Sequence, residues 1–125
     1  MHCERIVVLI VEDDVFVRMT MAAQLQDAGF DVIEAMNAAD AIGILENDTS
    51  IDAVVSDISM PGAMDGISLV HNVHRWWPAI KLIIASGGGT ATASDLPIGC
   101  RYLAKPYEVR QLLATVRGLV CGYVF

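Results

Sequence analysis

Short apolar runs alternate with longer segments that have helical spacing along this chain. The strand-like runs, which are rich in apolar residues, are Ile6–Val11, Asp31–Ala35, Ala53–Ser56, Lys81–Ser86 and Cys100–Ala104. The longer segments follow four of these runs: Val15–Ala28, Ala38–Glu46, Gly66–Trp77 and Glu108–Val120. This regular alternation predicts an α/β domain built from βα units.

Three of the predicted strands contain uninterrupted apolar runs instead of apolar residues at every second position. They read Ile-Val-Val-Leu-Ile-Val, Ala-Val-Val and Leu-Ile-Ile-Ala. A strand that is apolar on both faces must be covered on both faces, which is typical of a parallel sheet between two layers of helices. The pattern therefore predicts an open, doubly wound parallel sheet.

Local signals place the helix ends. Asn37 is a capping residue in front of the second helix, Gly29 ends the first, and Pro78 stops the third. After the fourth strand the sequence Gly87-Gly88-Gly89 has weak periodicity, so we expect only a short helix between the fourth and fifth strands.

Length and charge limit the classes of protein that fit. The 125 residues are enough for one domain with its own core, so we expect a single domain spanning residues 1–125. No apolar run approaches the roughly 20 residues of a membrane-spanning helix, and no secretory signal is visible, so we expect a soluble, cytoplasmic protein. The net charge of −7, without a Lys/Arg cluster, disfavours nucleic-acid binding.

The three cysteines give no sign of a metal site or a disulfide framework. Cys3, Cys100 and Cys121 are odd in number and lack metal-ligand spacing. We expect them to be reduced.

Polar residues collect where the predicted strands end. They are Glu12, Asp13 and Asp14 after the first strand, Asp57 after the third, Ser86 at the end of the fourth, and Lys105 after the fifth. In open α/β sheets, ligands bind at the carboxyl ends of the strands. We therefore expect acids, a hydroxyl and an ammonium group to converge at one edge.

Carboxylates crowded at one edge repel one another and need a counter-ion or a proton. Oxygen ligands with room for water and a substrate phosphate suit Mg²⁺, which is the predicted metal. A carboxylate beside Mg²⁺ can attack a phosphoryl group, and Asp57 is the predicted nucleophile. The Lys105 ammonium and the Ser86 hydroxyl would stabilise the charge that develops in transfer.

With these residues in this order, the sequence resembles the response-regulator receiver family over nearly its whole length. The resemblance rests on four motifs: Val11-Glu12-Asp13-Asp14, Val55-Ser56-Asp57-Ile58-Ser59-Met60-Pro61-Gly62, Ala85-Ser86-Gly87 and Lys105-Pro106. It implies a CheY-like, flavodoxin-like fold with five parallel strands in the order 2-1-3-4-5. It also implies a cis Lys105–Pro106 peptide.

The resemblance further implies a role for each residue of the site. Asp13, Glu12, Asp57 and the backbone carbonyl of Ser59 would hold Mg²⁺, whereas Asp14 would lie outside the ligand set. Asp57 would be the phospho-acceptor, assisted by Lys105 and Ser86. Ser86 and Tyr102 would form the conformational switch, although an aromatic residue in a strand is equally well explained by core packing.

As a function, the resemblance implies a single-domain response regulator of a two-component phosphorelay. Asp57 would accept a phosphoryl group from a histidine kinase or a phosphotransfer protein. The receiver would catalyse its own phosphotransfer and dephosphorylation and would not be an enzyme with a separate substrate. A downstream protein, or a second copy in a homodimer, would bind the face at about Thr92–Val120.

Two alternatives belong to other classes. A phosphatase of the haloacid dehalogenase type needs an Asp at the position of Ser59, and a flavin phosphate cradle needs Ser, Thr or Gly where Glu12 and Asp13 stand, so both are disfavoured. A pseudo-receiver that binds partners without phosphorylation remains open. His71 and His74 lack further ligands, so we expect surface histidines and no metal pair there.

Overall fold

The computed structural model describes residues 5–58, 65–86 and 96–122. Within these ranges the strands are β1 (Val7–Val11), β2 (Asp31–Ala35), β3 (Ala53–Asp57), β4 (Lys81–Ser86) and β5 (Arg101–Ala104). The helices are α1 (Val15–Asp27), α2 (Ala38–Asn47), α3 (Gly66–Trp76) and α4 (Val109–Cys121). The short helix expected between the fourth and fifth strands falls mainly on residues 87–95, outside the described ranges.

The five strands of the described residues form one parallel sheet in the order β2-β1-β3-β4-β5. The predicted fold class and strand order are therefore confirmed. β1 lies in the interior of the sheet, and four consecutive side chains, those of Val8 to Val11, are fully buried. Burial on both faces explains why these strands are apolar at every position.

Alternate residues of each strand enter two separate apolar clusters, one on each face of the sheet. Leu9 and Val11 pack with α2 and α3 in one cluster, whereas Val8 and Ile10 pack with α1 and α4 in the other. Within the described residues, two helices cover each face of the sheet.

The helix ends follow local chemistry. Asn37 accepts a hydrogen bond from the backbone N–H of Asp40, as expected of a capping residue, and Asp14 and Asp65 cap α1 and α3 in the same way. Gly29 takes a φ of 97°, which ends α1 as predicted. The predicted boundaries differ from the observed ones by at most one residue, because terminal hydrogen bonds are shared between helix and cap.

The expectation of reduced cysteines is wrong for Cys121, which is disulfide-bonded, whereas Cys100 has a free thiol. Pairing depends on spatial approach, which spacing along the chain does not reveal. Among the described residues, no helix is both long and apolar enough to cross a membrane.

Gly66, the first residue of α3, packs directly on the end of β3. Its N–H donates to the carbonyl oxygen of Ile58, 2.8 Å away. A Cβ atom at this position would overlap the backbone carbonyl of Asp57. Only glycine allows the two backbones to come this close.

We expect Gly66→Ala to lower the free energy of unfolding by about 3 kcal/mol or more, because β3 and α3 must separate to admit the methyl group. Gly43→Ala is the matched control, since Gly43 lies inside α2 with open space around it. At that position alanine should raise the free energy of unfolding by roughly 0.5–1 kcal/mol. Urea unfolding followed by circular dichroism measures both; equal effects of the two substitutions would contradict the close approach.

Candidate phosphoryl-acceptor and metal site

The strand register brings four strand ends together. Val11 of β1 pairs with Ser56 of β3, so Glu12 follows beside Asp57. On the other side Asp57 pairs with Ala85 of β4, and Ser86 pairs with Ala104 of β5, directly before Lys105. Residues far apart in the chain therefore meet at the carboxyl edge of the sheet, as predicted.

Glu12, Asp13 and Asp57 form an acidic cluster at this edge. One carboxylate oxygen from each residue lies within 4.8 Å of the others. Glu12 is buried, Asp57 is partly buried and Asp13 is exposed, so the cluster opens to solvent on one side.

Lys105 reaches the cluster from the far side of β4. Its Nζ atom donates to Glu12 Oε1 and to Asp57 Oδ2, at 3.3 Å in both cases. Burial works to lower the pKa of Lys105, but the charges of Asp57 and Glu12 outweigh it, and the pKa is raised above its usual value. Lys105 is therefore a firmly charged ammonium group that bridges two carboxylates.

Glu12 is the most deeply placed acid of the cluster, with 3% of its side chain exposed. Burial raises the pKa of Glu12 above its usual value, and the neighbouring Asp13 and Asp57 add to this effect. A hydrogen bond from the backbone N–H of Asp14 and the charge of Lys105 act in the opposite direction but do not cancel it. The ionised form of Glu12 therefore has too few counter-charges in the protein itself.

Asp14 lies outside this cluster, as expected, and caps α1 by accepting from the N–H of Val17. Arg18, which the sequence reasoning missed, supports the cluster from below. Its guanidinium donates to the backbone carbonyl of Glu12 at 2.8 Å and to the carboxylate of Glu34 at 3.2 Å. The available signal was that Arg18 is the only basic residue of an otherwise uncharged stretch that begins α1.

Of the three remaining predicted site residues, only Tyr102 has a described side chain. Ser59 lies outside the described residues, and so does the side chain of Ser86, although the backbone of Ser86 ends β4. Tyr102 is half-buried and packs against the apolar cluster under α2 and α3. That position is compatible with core packing and leaves the switch role of Tyr102 a prediction.

The donor set fits a hard divalent cation. All three clustered groups are carboxylates, which are the ligands that Mg²⁺ prefers, and no thiol or imidazole accompanies them among the described residues. A divalent ion would offset the charge that Lys105 alone leaves uncompensated on Glu12. The same arrangement aims a partly exposed carboxylate, Asp57, at the open side, where it can act as a nucleophile.

Comparison with known proteins agrees with this arrangement. Residues 8–117 match the model of the response regulator receiver domain family. The chain is 38% identical over 117 residues to the sensor kinase CckA of Brucella abortus, a match that covers 90% of this chain and 12% of that protein.

Two further similarities concern a regulator and a solved structure. The chain is 34% identical to a putative NtrX-like response regulator of Rickettsia conorii, covering 85% of this chain and 23% of the other. It is 27% identical to the crystal structure of a receiver protein from Sinorhizobium medicae, with a TM-score of 0.84 and coverage of 96% and 98% of the two chains. The chain thus spans a quarter or less of these two curated relatives.

The raised pKa of Glu12 makes stability depend on pH when no metal is bound. Because the folded state holds the Glu12 proton more tightly than the unfolded state does, the free energy of unfolding should fall as pH rises from below 4.5 through the raised pKa. Glu12→Gln should lack this loss. Urea unfolding in EDTA across this pH range measures the difference, with Glu46→Gln, an exposed acid on α2, as the control.

Two results would contradict a buried, under-compensated Glu12 carboxylate. The difference in the free energy of unfolding between wild type and Glu12→Gln could stay constant with pH, or it could grow in favour of the wild type as pH rises.

Proposed function

Because this chain belongs to the response regulator receiver domain family, we propose that it is a Mg²⁺-dependent phosphoryl-accepting switch with Asp57 as the acceptor. The observation that carries the proposal is the position of Asp57. Its carboxylate accepts from Lys105 and lies within the acidic cluster, yet 18% of the side chain is open to solvent. The other acids are either deeper, as Glu12 is, or more exposed, as Asp13 is.

Glu12, Asp13 and Asp57 would hold the Mg²⁺ ion, together with the main-chain carbonyl of Ser59. The bound ion would supply positive charge to the phosphoryl oxygens and would relieve the repulsion among the carboxylates. Glu12 is held by Arg18 and by the N–H of Asp14, so this side of the set is fixed before any ligand arrives.

In the transfer step a carboxylate oxygen of Asp57 forms a bond to phosphorus while the P–N bond of a phosphohistidine breaks. The imidazole leaves with its electron pair, and the product is an acyl phosphate on Asp57. Lys105 stands within hydrogen-bond reach of Asp57 and can follow the charge onto the phosphoryl oxygens. Ser86 would donate its hydroxyl from the end of β4.

This chain has an apolar surface beside Lys105 that a phosphoryl-donor protein could contact. A cavity of about 560 Å³ lies between α1 and the segment after β5, lined by Phe16, Val17, Lys105 and Tyr107 among others. Phe16 is 83% exposed, which is unusual for an aromatic side chain and typical of residues buried by a partner. A phosphohistidine protein that covers Phe16 would stand next to the acceptor.

Phosphorylation would change the partners of Lys105, and the predicted readers of this change are Ser86 and Tyr102. A downstream protein, or a second copy, would then bind the face at about Thr92–Val120. The proposal includes a single-domain regulator spanning residues 1–125, located in the cytoplasm and without a substrate other than the phosphoryl donor.

We expect incubation with acetyl phosphate and Mg²⁺ to add one phosphoryl group to the wild-type protein, detected by intact mass. Asp57→Asn should gain none, because an amide is not a nucleophile for this step. Asp27→Asn, the same change at an exposed site at the far end of α1, should behave as the wild type. Omission of Mg²⁺ should abolish the gain.

Uptake by Asp57→Asn would place the acceptor elsewhere. No uptake by the wild type, with Mg²⁺ binding demonstrated separately, would favour a pseudo-receiver that binds partners without phosphorylation.

Lys105→Met should separate metal binding from transfer. The Lys105 ammonium pairs with both Glu12 and Asp57, so it competes with Mg²⁺ for these carboxylates. Its removal should tighten Mg²⁺ binding by about threefold to tenfold. Phosphoryl uptake should fall by about tenfold or more. Calorimetric Mg²⁺ titration and intact mass measure the two effects, with Arg5→Met as the control; weaker Mg²⁺ binding in a folded Lys105→Met protein would contradict the assigned role.

A further inference from the structure

Most cations of this acidic protein have a partner. All eight Lys and Arg residues lie in the described ranges. Six have an ion pair or an aromatic ring: Arg5 with Asp31, Arg18 with Glu34, Lys105 with Glu12 and Asp57, Arg110 with Glu108, Arg75 with Trp76, and Arg117 with Phe30. Within the described residues the side chains of Lys81 and Arg101 have neither.

These two cations line the same cavity. It has a volume of about 200 Å³ and lies at the amino-terminal ends of β4 and β5, where His74 adds a third group able to carry positive charge. Among the described residues that line it there is no Asp or Glu. In a chain with a net charge of −7, the described lining of this cavity brings two cations together.

The strand register holds the two cations together. Arg101 pairs with Ile83, and Lys81 lies two residues before Ile83 on the same strand, so both side chains leave the same face of the sheet. Their Cα atoms are roughly 8 Å apart for a strand spacing of about 4.8 Å and a rise of about 3.3 Å per residue. Like charges fixed at this distance gain from an anionic group placed between them.

The cavity also has apolar walls. Ile80, Leu82 and Leu119 line it, and Ile98 at its rim is 96% exposed. Its volume is below the roughly 300 Å³ at which pockets begin to enclose a whole drug-sized ligand. One inserted side chain with charged neighbours fits this space better than a free metabolite does.

We propose that this cavity is a docking site for an acidic segment of a partner protein, which places one apolar side chain against Ile98 and Leu119 and its carboxylates beside Lys81 and Arg101. Charge complementarity selects this occupant, because the cavity unites the two unpaired cations with an apolar floor. The chain's overall negative charge disfavours nucleic acid as the occupant.

The site goes beyond the proposed phosphoryl switch. Lys81 lies four residues before Ala85, the register partner of Asp57, so the two sites are roughly 13 Å apart along the sheet. The cavity also uses the end of α3 and the start of β4, and it shares with the predicted readout face the residues Ile98, Gly99, Cys100, Arg101 and Leu119. Docking here needs no phosphoryl group.

The test uses the full chain and two labelled peptides of equal length, one of alternating Glu and Leu and one of alternating Lys and Leu, followed by fluorescence anisotropy. The acidic peptide should bind and the basic one should not. Lys81→Glu and Arg101→Glu should each weaken binding by about tenfold, and binding should weaken with added salt. Arg5→Glu is the matched control, with the same change in charge at an exposed arginine, and should stay within about twofold.

Cys100 localises the bound peptide, because its thiol is free and lines the cavity. Burial raises the pKa of Cys100 to about 11, so alkylation must be followed for long times or at alkaline pH. The acidic peptide should slow alkylation of Cys100, measured by mass spectrometry of the digested protein.

Several results would overturn the proposal. The acidic peptide could fail to bind, Arg5→Glu could weaken its binding as much as Lys81→Glu does, or the peptide could leave the alkylation rate of Cys100 unchanged. Inorganic phosphate at constant ionic strength could also displace the peptide completely, which would indicate a simple anion site. Loss of a dimer in Lys81→Glu or Arg101→Glu, seen by sedimentation, would assign the surface to a second copy instead. Phosphoryl uptake by the same variants should equal that of the wild type, so failure of docking is distinguishable from failure of the switch.

Discussion

Glu12, Asp13 and Asp57 repel one another at the carboxyl edge of the sheet, and much of the surrounding structure offsets this repulsion. The order of the strands places β1 beside β3, which forces two of the acids together. Lys105 crosses from the end of β5 to bind both Glu12 and Asp57. The compensation is incomplete, because burial still leaves the pKa of Glu12 above its usual value. An edge with residual negative charge and one open side is suited to a divalent cation and a phosphoryl group.

The elements around this edge hold it in a fixed shape. Gly66 lets α3 begin against the backbone of Asp57, and Arg18 ties the carbonyl of Glu12 to Glu34 of β2. These contacts involve backbone atoms on the strands and not loops alone, so Asp57, the proposed acceptor, is positioned by the core itself. Such rigidity favours transfer, since the acceptor need not be reorganised when the donor arrives.

Two groups of charged residues stand at opposite ends of the strands. Acids collect at the carboxyl ends of β1 and β3, whereas the two unpaired cations, Lys81 and Arg101, stand at the amino-terminal ends of β4 and β5. Under the two proposals, one end would accept a phosphoryl group and the other would hold an acidic partner. The apolar surface around Phe16 adds a third contact region, adjacent to the acceptor.

The sequence by itself determined the α/β class, the strand and helix positions to within a residue, and the convergence of Asp57 with Glu12, Asp13 and Lys105. It could do so because burial on both faces leaves a continuous apolar signal and because parallel strands end at one edge. Only the tertiary structure decided the support by Arg18, the close approach of Gly66, the disulfide bond at Cys121 and the shared cavity of Lys81 and Arg101. These depend on strand register and side-chain direction between residues apart in the chain, as in the 16-residue separation of Arg18 from Glu34, and local spacing carries no record of them.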